Sequence, residues 1–154
     1  MEAEKFIALL ERDGKLRKQK AGISQVEALL RQAVLDLEEA RVIVSLAGRA
    51  AYVMAYMAML KAGRALLLER GYVPDDGAQH KTVVDVTGVL LGEEYKAVTS
   101  HFEIMRRKRN DMTYEAGALI SARESEKAFS DAVQLLKGVI AQVKGRNREL
   151  RFDF

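Results

Sequence analysis

Pro74 is the one proline in 154 residues, and that scarcity constrains the fold more than any other feature of the chain. Proline removes a backbone donor and clashes with the preceding helical turn, so a chain almost free of it has few obligatory helix breaks. The intervals are filled by Ala, Leu, Glu, Lys, Arg and Gln, strong helix formers, with apolar positions three and four residues apart. This pattern predicts an all-α protein: a single bundle of five or six helices, mainly antiparallel because most connections are short. A chain of this length buries roughly two-thirds of its unfolded surface, enough for one domain.

The first helix is expected at residues 2–11, with Phe6, Leu9 and Leu10 inward. Gly14 stops it, and a basic connector carrying Lys15, Arg17, Lys18 and Lys20 follows. Ser24 with Glu27 reads as a capping box opening a long amphipathic helix whose apolar face is Val26, Leu29, Leu30, Ala33, Val34, Leu37, Ala40 and Val44. The pattern breaks at residues 45–48. It resumes at 50–70, dense in alanine and methionine and closed by Gly71. Ala51, Ala55, Ala58, Ala62 and Ala65 let neighbours approach closely, so this is the expected central helix, with Tyr52, Tyr56, Met54, Met57 and Met59 read as core.

Residues 71–79, GYVPDDGAQ, form a turn-rich loop around Pro74, Asp75, Asp76 and Gly77. Helices at 80–91 and 93–110 follow, separated by Gly92, with a break at 111–117. A second capping box, Ser121 with Glu124, opens the last helix, to about residue 143. The expected organisation is therefore an N-terminal helix and connector (1–23), a helical bundle (24–143) and a basic tail (144–154) that is poorly ordered unless docked.

The absence of cysteine excludes disulfides, thiolate metal sites and thiol nucleophiles, and suits a cytoplasmic protein. Hydrophobic residues at 49% and charged ones at 31% exclude a disordered chain. Acidic residues near the start argue against a targeting peptide. The most apolar stretch, 50–68, is interrupted by Lys61 and Arg64, so no membrane span is expected. Asp75 and Asp76 lack a third carboxylate in a calcium-loop pattern, so neither a metal nor a cofactor is expected.

The net charge of +3 says little, but its placement says more. Residues 105–114 read MRRKRNDMTY and set four consecutive cations, an amide and a phenol at the end of an apolar-periodic helix. Clustered guanidinium groups offer permanent charge and forked donors that match phosphate. The candidate phosphate-binding residues are Arg106, Arg107, Arg109, Asn110 and Tyr114. The connector at 15–20 and the tail cations at 146–151 extend the positive surface.

A long capped helix comes first, then an Ala-rich helix with Tyr52 and Tyr56, a Gly-Pro loop leading to a His, and a helix ending in Arg-Lys-Arg-Asn. An aromatic residue four beyond Asn110 and a final amphipathic helix complete an order that resembles the HEPN superfamily over residues 24–143. The resemblance implies a small bundle that pairs as a homodimer, with a groove between protomers lined by the motif. It also implies RNA or a nucleotide as ligand. Many such proteins are metal-independent endoribonucleases, often toxins paired with a minimal nucleotidyltransferase; others are non-catalytic RNA-binding or protein-partner modules. The family motif is an Arg followed after four to six residues by a His. Here the Arg is Arg109, and Tyr114 stands where the His would fall.

Tyrosine titrates near 10, so using Tyr114 as a base at neutral pH costs about 4 kcal/mol relative to its ionised form. It is better suited to donate a hydrogen bond or stack on a base. The leading expectation is thus a module that binds RNA or a nucleotide with at most weak catalysis, in which Arg109 and Tyr114 are the catalytic candidates. On a continuous helix those two side chains point about 140° apart, so sharing a site requires the helix to end near Asn110. His101 lies about 12 Å before Arg109 along a helix, too far to share its phosphate within one chain, a gap only a symmetric dimer could close, and His80 reads as a capping or packing residue at the start of its helix.

Overall fold

The computed structural model describes residues 2–75, 79–117, 119–152 and 154. Among them are six α-helices: α1 (Glu2–Arg12), α2 (Ile23–Ile43), α3 (Gly48–Glu69), α4 (Gln79–Leu91), α5 (Lys96–Tyr114) and α6 (Ala122–Arg146), with a 3-10 turn at Glu93–Tyr95 before α5. The all-helical bundle expected from the periodicity is present. α3 is its axis, packed against α2 and α6 and touched by α4 and α5. Its alanines Ala51, Ala55, Ala58, Ala62 and Ala65 are all fully buried. At Gly63 a Cβ would lie 2.5 Å from Thr87 Oγ1 and 2.7 Å from Val83 Cγ1, so α4 crosses α3 closer than any side chain there would permit.

By length and hydropathy α3 qualifies as a membrane span, against the expectation drawn from its two cations, but 72% of that stretch is buried inside the bundle. Lys61 fits there because its ammonium lies 2.6 Å from the Asp36 carboxylate of α2. Arg64 is half-buried, and its charge is felt at Tyr56 and His80 in the site described below.

The basic connector is not a plain linker. Strand β1 (Leu16–Lys18) pairs antiparallel with β2 (Tyr72–Pro74) in the register Leu16 to Pro74 and Lys18 to Tyr72. Leu16, only 2% exposed, anchors it to the core, while Arg17 reaches Asp75 at 3.3 Å. The turn expected at Asp76 and Gly77 lies outside the described residues. The tail is docked: Leu150 and Phe152 are buried, Lys144 donates to the Phe152 carbonyl, and the Arg31 guanidinium sits 5.1 Å over the Phe152 ring.

The two serine caps differ. Ser121 accepts from the Glu124 amide at 3.1 Å and Glu124 returns the bond to the Ser121 amide at 3.0 Å, a complete capping box. Ser24 caps nothing, because α2 begins at Ile23 with extended Gly22 as its N-cap, leaving Ser24 already inside the first turn. Ser121→Ala should therefore lower stability by about 0.5–2 kcal/mol in urea unfolding, whereas Ser24→Ala should stay within about 0.5 kcal/mol of the parent. Equal losses would contradict this assignment.

A candidate phosphate-binding site on α3, α4 and α5

Phe102, Arg106 and Arg109 recur at spacings of four and three on α5, so they share one face of that helix. That face turns toward Tyr56 of α3 and His80 at the start of α4. The Phe102 and Tyr56 rings lie 5.8 Å apart, tilted by 57°, and the Tyr56 and His80 rings 5.9 Å apart. The Tyr56 hydroxyl is 2.9 Å from His80 Nδ1. Tyr56 is fully buried while His80 is half-buried, so the pair runs from the core to the surface.

The four cations have different circumstances. Arg106 grips Glu103 with two hydrogen bonds, Nε to Oε1 at 2.6 Å and Nη2 to Oε2 at 3.0 Å, and Arg107 adds a third at 3.1 Å. The Arg106 hydrogen bonds hold the Glu103 carboxyl below its usual range against the opposing effect of burial. Lys108 approaches Glu124 of α6 at 3.5 Å. Arg109 has no ion pair or side-chain hydrogen bond among the described residues, and neither does Arg64. The uncompensated charge of the cluster is therefore carried by Arg109, and Arg64 of α3 acts on the same Tyr56 and His80 side chains.

These charges act on the Tyr56–His80 pair. Burial, followed by Arg109, Arg64 and Arg106, holds the His80 imidazole below its ordinary value, so the ring is neutral at neutral pH. Burial pushes the Tyr56 phenol up to about 12, with Arg109 and Arg106 pulling the other way, so it keeps its proton. The hydrogen bond can run in either direction. The neutral ring then presents either a lone pair or an N–H at Nε2.

A depressed histidine also ties stability to pH. Below the unfolded value of about 6.5 the unfolded chain takes up a proton that the folded His80 refuses, so stability falls as pH drops through that window and is fully retained above it. Urea midpoints between pH 7.5 and 5 should fall less steeply for His80→Gln than for the parent. Identical slopes would mean that His80 does not have these surroundings.

Helix α5 does not end at Asn110. It runs on to Tyr114, with the Thr113 hydroxyl donating to the Arg109 carbonyl and the Glu115 amide to that of Asp111. Asn110 and Asp111 tolerate helical geometry, and the next positive φ along the chain, +88°, comes at Gly117. Arg109 and Tyr114 therefore diverge by about 140°, and Tyr114 is 79% exposed. The expected pairing of Arg109 with Tyr114 within one chain is not built. Asn110 and Arg107 are likewise exposed, at the outer rim. His101 belongs elsewhere: its Nδ1 is 2.7 Å from the buried Asp131 carboxylate, which Lys127 also meets at 3.1 Å, tying α5 to α6. Sequence reasoning missed Arg64 and Glu103 as site residues, read His80 as a capping or packing residue and read Tyr56 only as core. A cation in the midst of the apolar α3 was the one available signal.

A small helical bundle carrying an arginine-rich face on its penultimate helix is the class of protein these features define. The family model described as HEPN domain matches residues 26–145, and the chain belongs to that family. A solved structure described as an archaeal HEPN homologue is similar in fold, with a TM-score of 0.61 and 22% identity, covering 77% of this chain and 98% of that one. No curated protein matches.

Proposed function

We propose that this chain binds RNA or a nucleotide through its phosphate groups, with Arg109 and Arg64 as the primary anion contacts. Arg106 contributes donors left over from Glu103, and Arg107, Asn110 and Tyr114 meet flanking groups at the rim. The observation that carries this reading is the pair of guanidinium groups with no anionic partner among the described residues, facing a neutral imidazole. An exposed guanidinium is easily solvated, but two of them acting on the same buried phenol and half-buried imidazole repel each other and gain most from a shared anion.

The family resemblance adds a second copy of the chain. A shallow apolar cleft of about 740 Å³ lined by Ala47, Arg49, Val53, Met54 and Met112 supports that, because Met112 follows Arg109 by three residues on α5. A homodimer through this face would set two arginine clusters side by side. Light scattering reads the mass directly.

Filter binding of single-stranded RNA at two salt concentrations, with EDTA present, tests the central claim. Affinity should fall steeply with salt because neutralised phosphates release counterions. Absent or salt-independent binding would overturn it.

A further inference from the structure

A second group of cations sits on the strand ribbon and at the end of α3. Alternation along β1 puts Leu16 and Lys18 on one side of the ribbon, Leu16 buried against the core and Lys18 exposed at the far end. Lys18 stands opposite Tyr72, and the Gln19 amide donates to the Gly71 carbonyl at 2.8 Å, which locks the ribbon to the turn that ends α3. Arg70 belongs to that turn. Lys18, Gln19, Lys20, Arg70, Gly71 and Tyr72 together line a shallow pocket of about 300 Å³, at the lower limit of small-ligand sites. Arg70 follows Tyr56 by 14 residues, about 21 Å along α3 at the standard rise, so this pocket is separate from the Tyr56–His80 pair.

We propose that the pocket is a second anion site that takes a terminal phosphate, either free phosphate or the phosphomonoester end of a nucleotide or RNA. The observation that carries it is Arg70. Its Nε–H is closed off from solvent and meets no acceptor, and its side chain makes no hydrogen bond or ion pair among the described residues. An unsatisfied buried donor on a charged group is costly, and an anion is the partner that satisfies it most strongly. Lys20 likewise has no ionic partner among the described residues. Lys18 meets only Glu11, at 4.0 Å, and Glu11 also accepts from the Tyr72 hydroxyl at 3.4 Å.

Charge decides which anion fits. Three cations against the one carboxylate of Glu11 leave a surplus of two. A phosphomonoester carries about −1.5 to −2 at neutral pH and three terminal oxygens, whereas each internal phosphodiester carries a single charge. The negative end of α3 opposes any anion here, but it amounts to about half a charge. Its Leu67 and Leu68 carbonyls are already taken by the Arg70 and Gly71 amides, at 3.0 and 2.9 Å. The full charges prevail. Gly71 leaves the floor open: its φ of +88° favours glycine, and a Cβ there would meet nothing within 4 Å. Lys18 and Lys20 lie upstream of the family domain at 26–145, so the pocket belongs to the N-terminal connector and does not depend on the α5 arginine face.

The test follows the backbone amides of the isotope-labelled full chain by NMR, which reports where the anion sits. Inorganic phosphate should move the Gln19, Gly71 and Tyr72 amides saturably, and sodium chloride at matched ionic strength should not. Arg70→Gln and the double substitution Lys18→Ala/Lys20→Ala should each raise the phosphate midpoint by about tenfold or more, the effect of losing a charge-assisted hydrogen bond. Both lysines are exposed, so the double variant keeps its fold even if Arg70→Gln does not. Adenosine 5′-monophosphate against adenosine, and a short 5′-phosphorylated RNA against its 5′-hydroxyl counterpart, separate the sources. Tighter saturation by one phosphorylated probe names the source, and equal saturation means that the phosphate group alone is read; each supports the assignment. Amides that stay still in phosphate, a midpoint unchanged in the double variant, or equal shifts from the 5′-hydroxyl RNA would overturn it. Failure of RNA to bind in the filter assay would overturn the reading of the α5 face and leave this one standing.

Discussion

Replacing Phe102 with alanine should lower the unfolding free energy by about 3–5 kcal/mol, the usual range for deleting a fully buried aromatic side chain. Phe102 has no exposed surface, and its ring packs against Tyr56 at a tilt of 57°, an arrangement worth about 0.5–1.5 kcal/mol beyond area alone. Set against a typical stability of about 5–15 kcal/mol for a domain, the loss is severe. The effect reaches the surface as well. Phe102 is the wall against which Tyr56 rests, and Tyr56 holds His80, so the cavity would loosen the hydrogen bond that positions that imidazole. Urea unfolding followed by far-ultraviolet circular dichroism measures the change. A loss below about 1 kcal/mol, comparable to that of an ordinary surface substitution, would show that the ring is not part of the core that supports the site.

What was legible from the residues follows a physical line. Helices α1 to α6 are visible because each repeats apolar residues at a local period, and a local period needs no knowledge of the rest of the chain. Ser121 with Glu124 is legible for the same reason: both partners lie within one turn. Ser24 with Glu27 has the same spelling but not the same outcome, because the point where the chain bends into α2 is set by Gly22 and by the pairing of β1 with β2, upstream of the serine. That pairing was invisible. Strands of three residues carry no usable alternation, and Lys18 meets Tyr72 only after two helices have intervened.

The site divides in the same way. Arg106 and Arg109 announce themselves by clustering, but which of the four cations is unspent depends on Glu103, one turn earlier on the same helix and readable only once the side chains are placed. His80 lies 24 residues from Tyr56 in the chain and on a different helix from Arg109, and no spacing rule joins them. The Arg109–Tyr114 pairing failed on one local point: Asn110 and Asp111 can end a helix but do not compel it to end.

The double substitution Arg64→Ala/Arg109→Ala should produce the largest functional loss of any change to this surface that leaves the core intact. Each guanidinium lacks an ionic partner among the described residues, so removing it uncovers no buried carboxylate and should cost little stability. If each makes a charge-assisted hydrogen bond to phosphate worth about 1.5–3 kcal/mol, the pair is worth about 3–6 kcal/mol, or roughly 10²–10⁴-fold in affinity. Two fewer phosphate contacts should also flatten the logarithmic salt dependence by about 1.4, at about 0.7 per contact for a single strand. Arg107→Ala is the informative contrast, because its side chain is 72% exposed and already shares Glu103 with Arg106. It should weaken binding by less than about tenfold, the mark of a screened surface charge. If Arg107→Ala instead matched the double variant and the salt slope of the double variant were unchanged, the anion surface would lie on the outer side of α5 and not on the face that meets Tyr56 and His80.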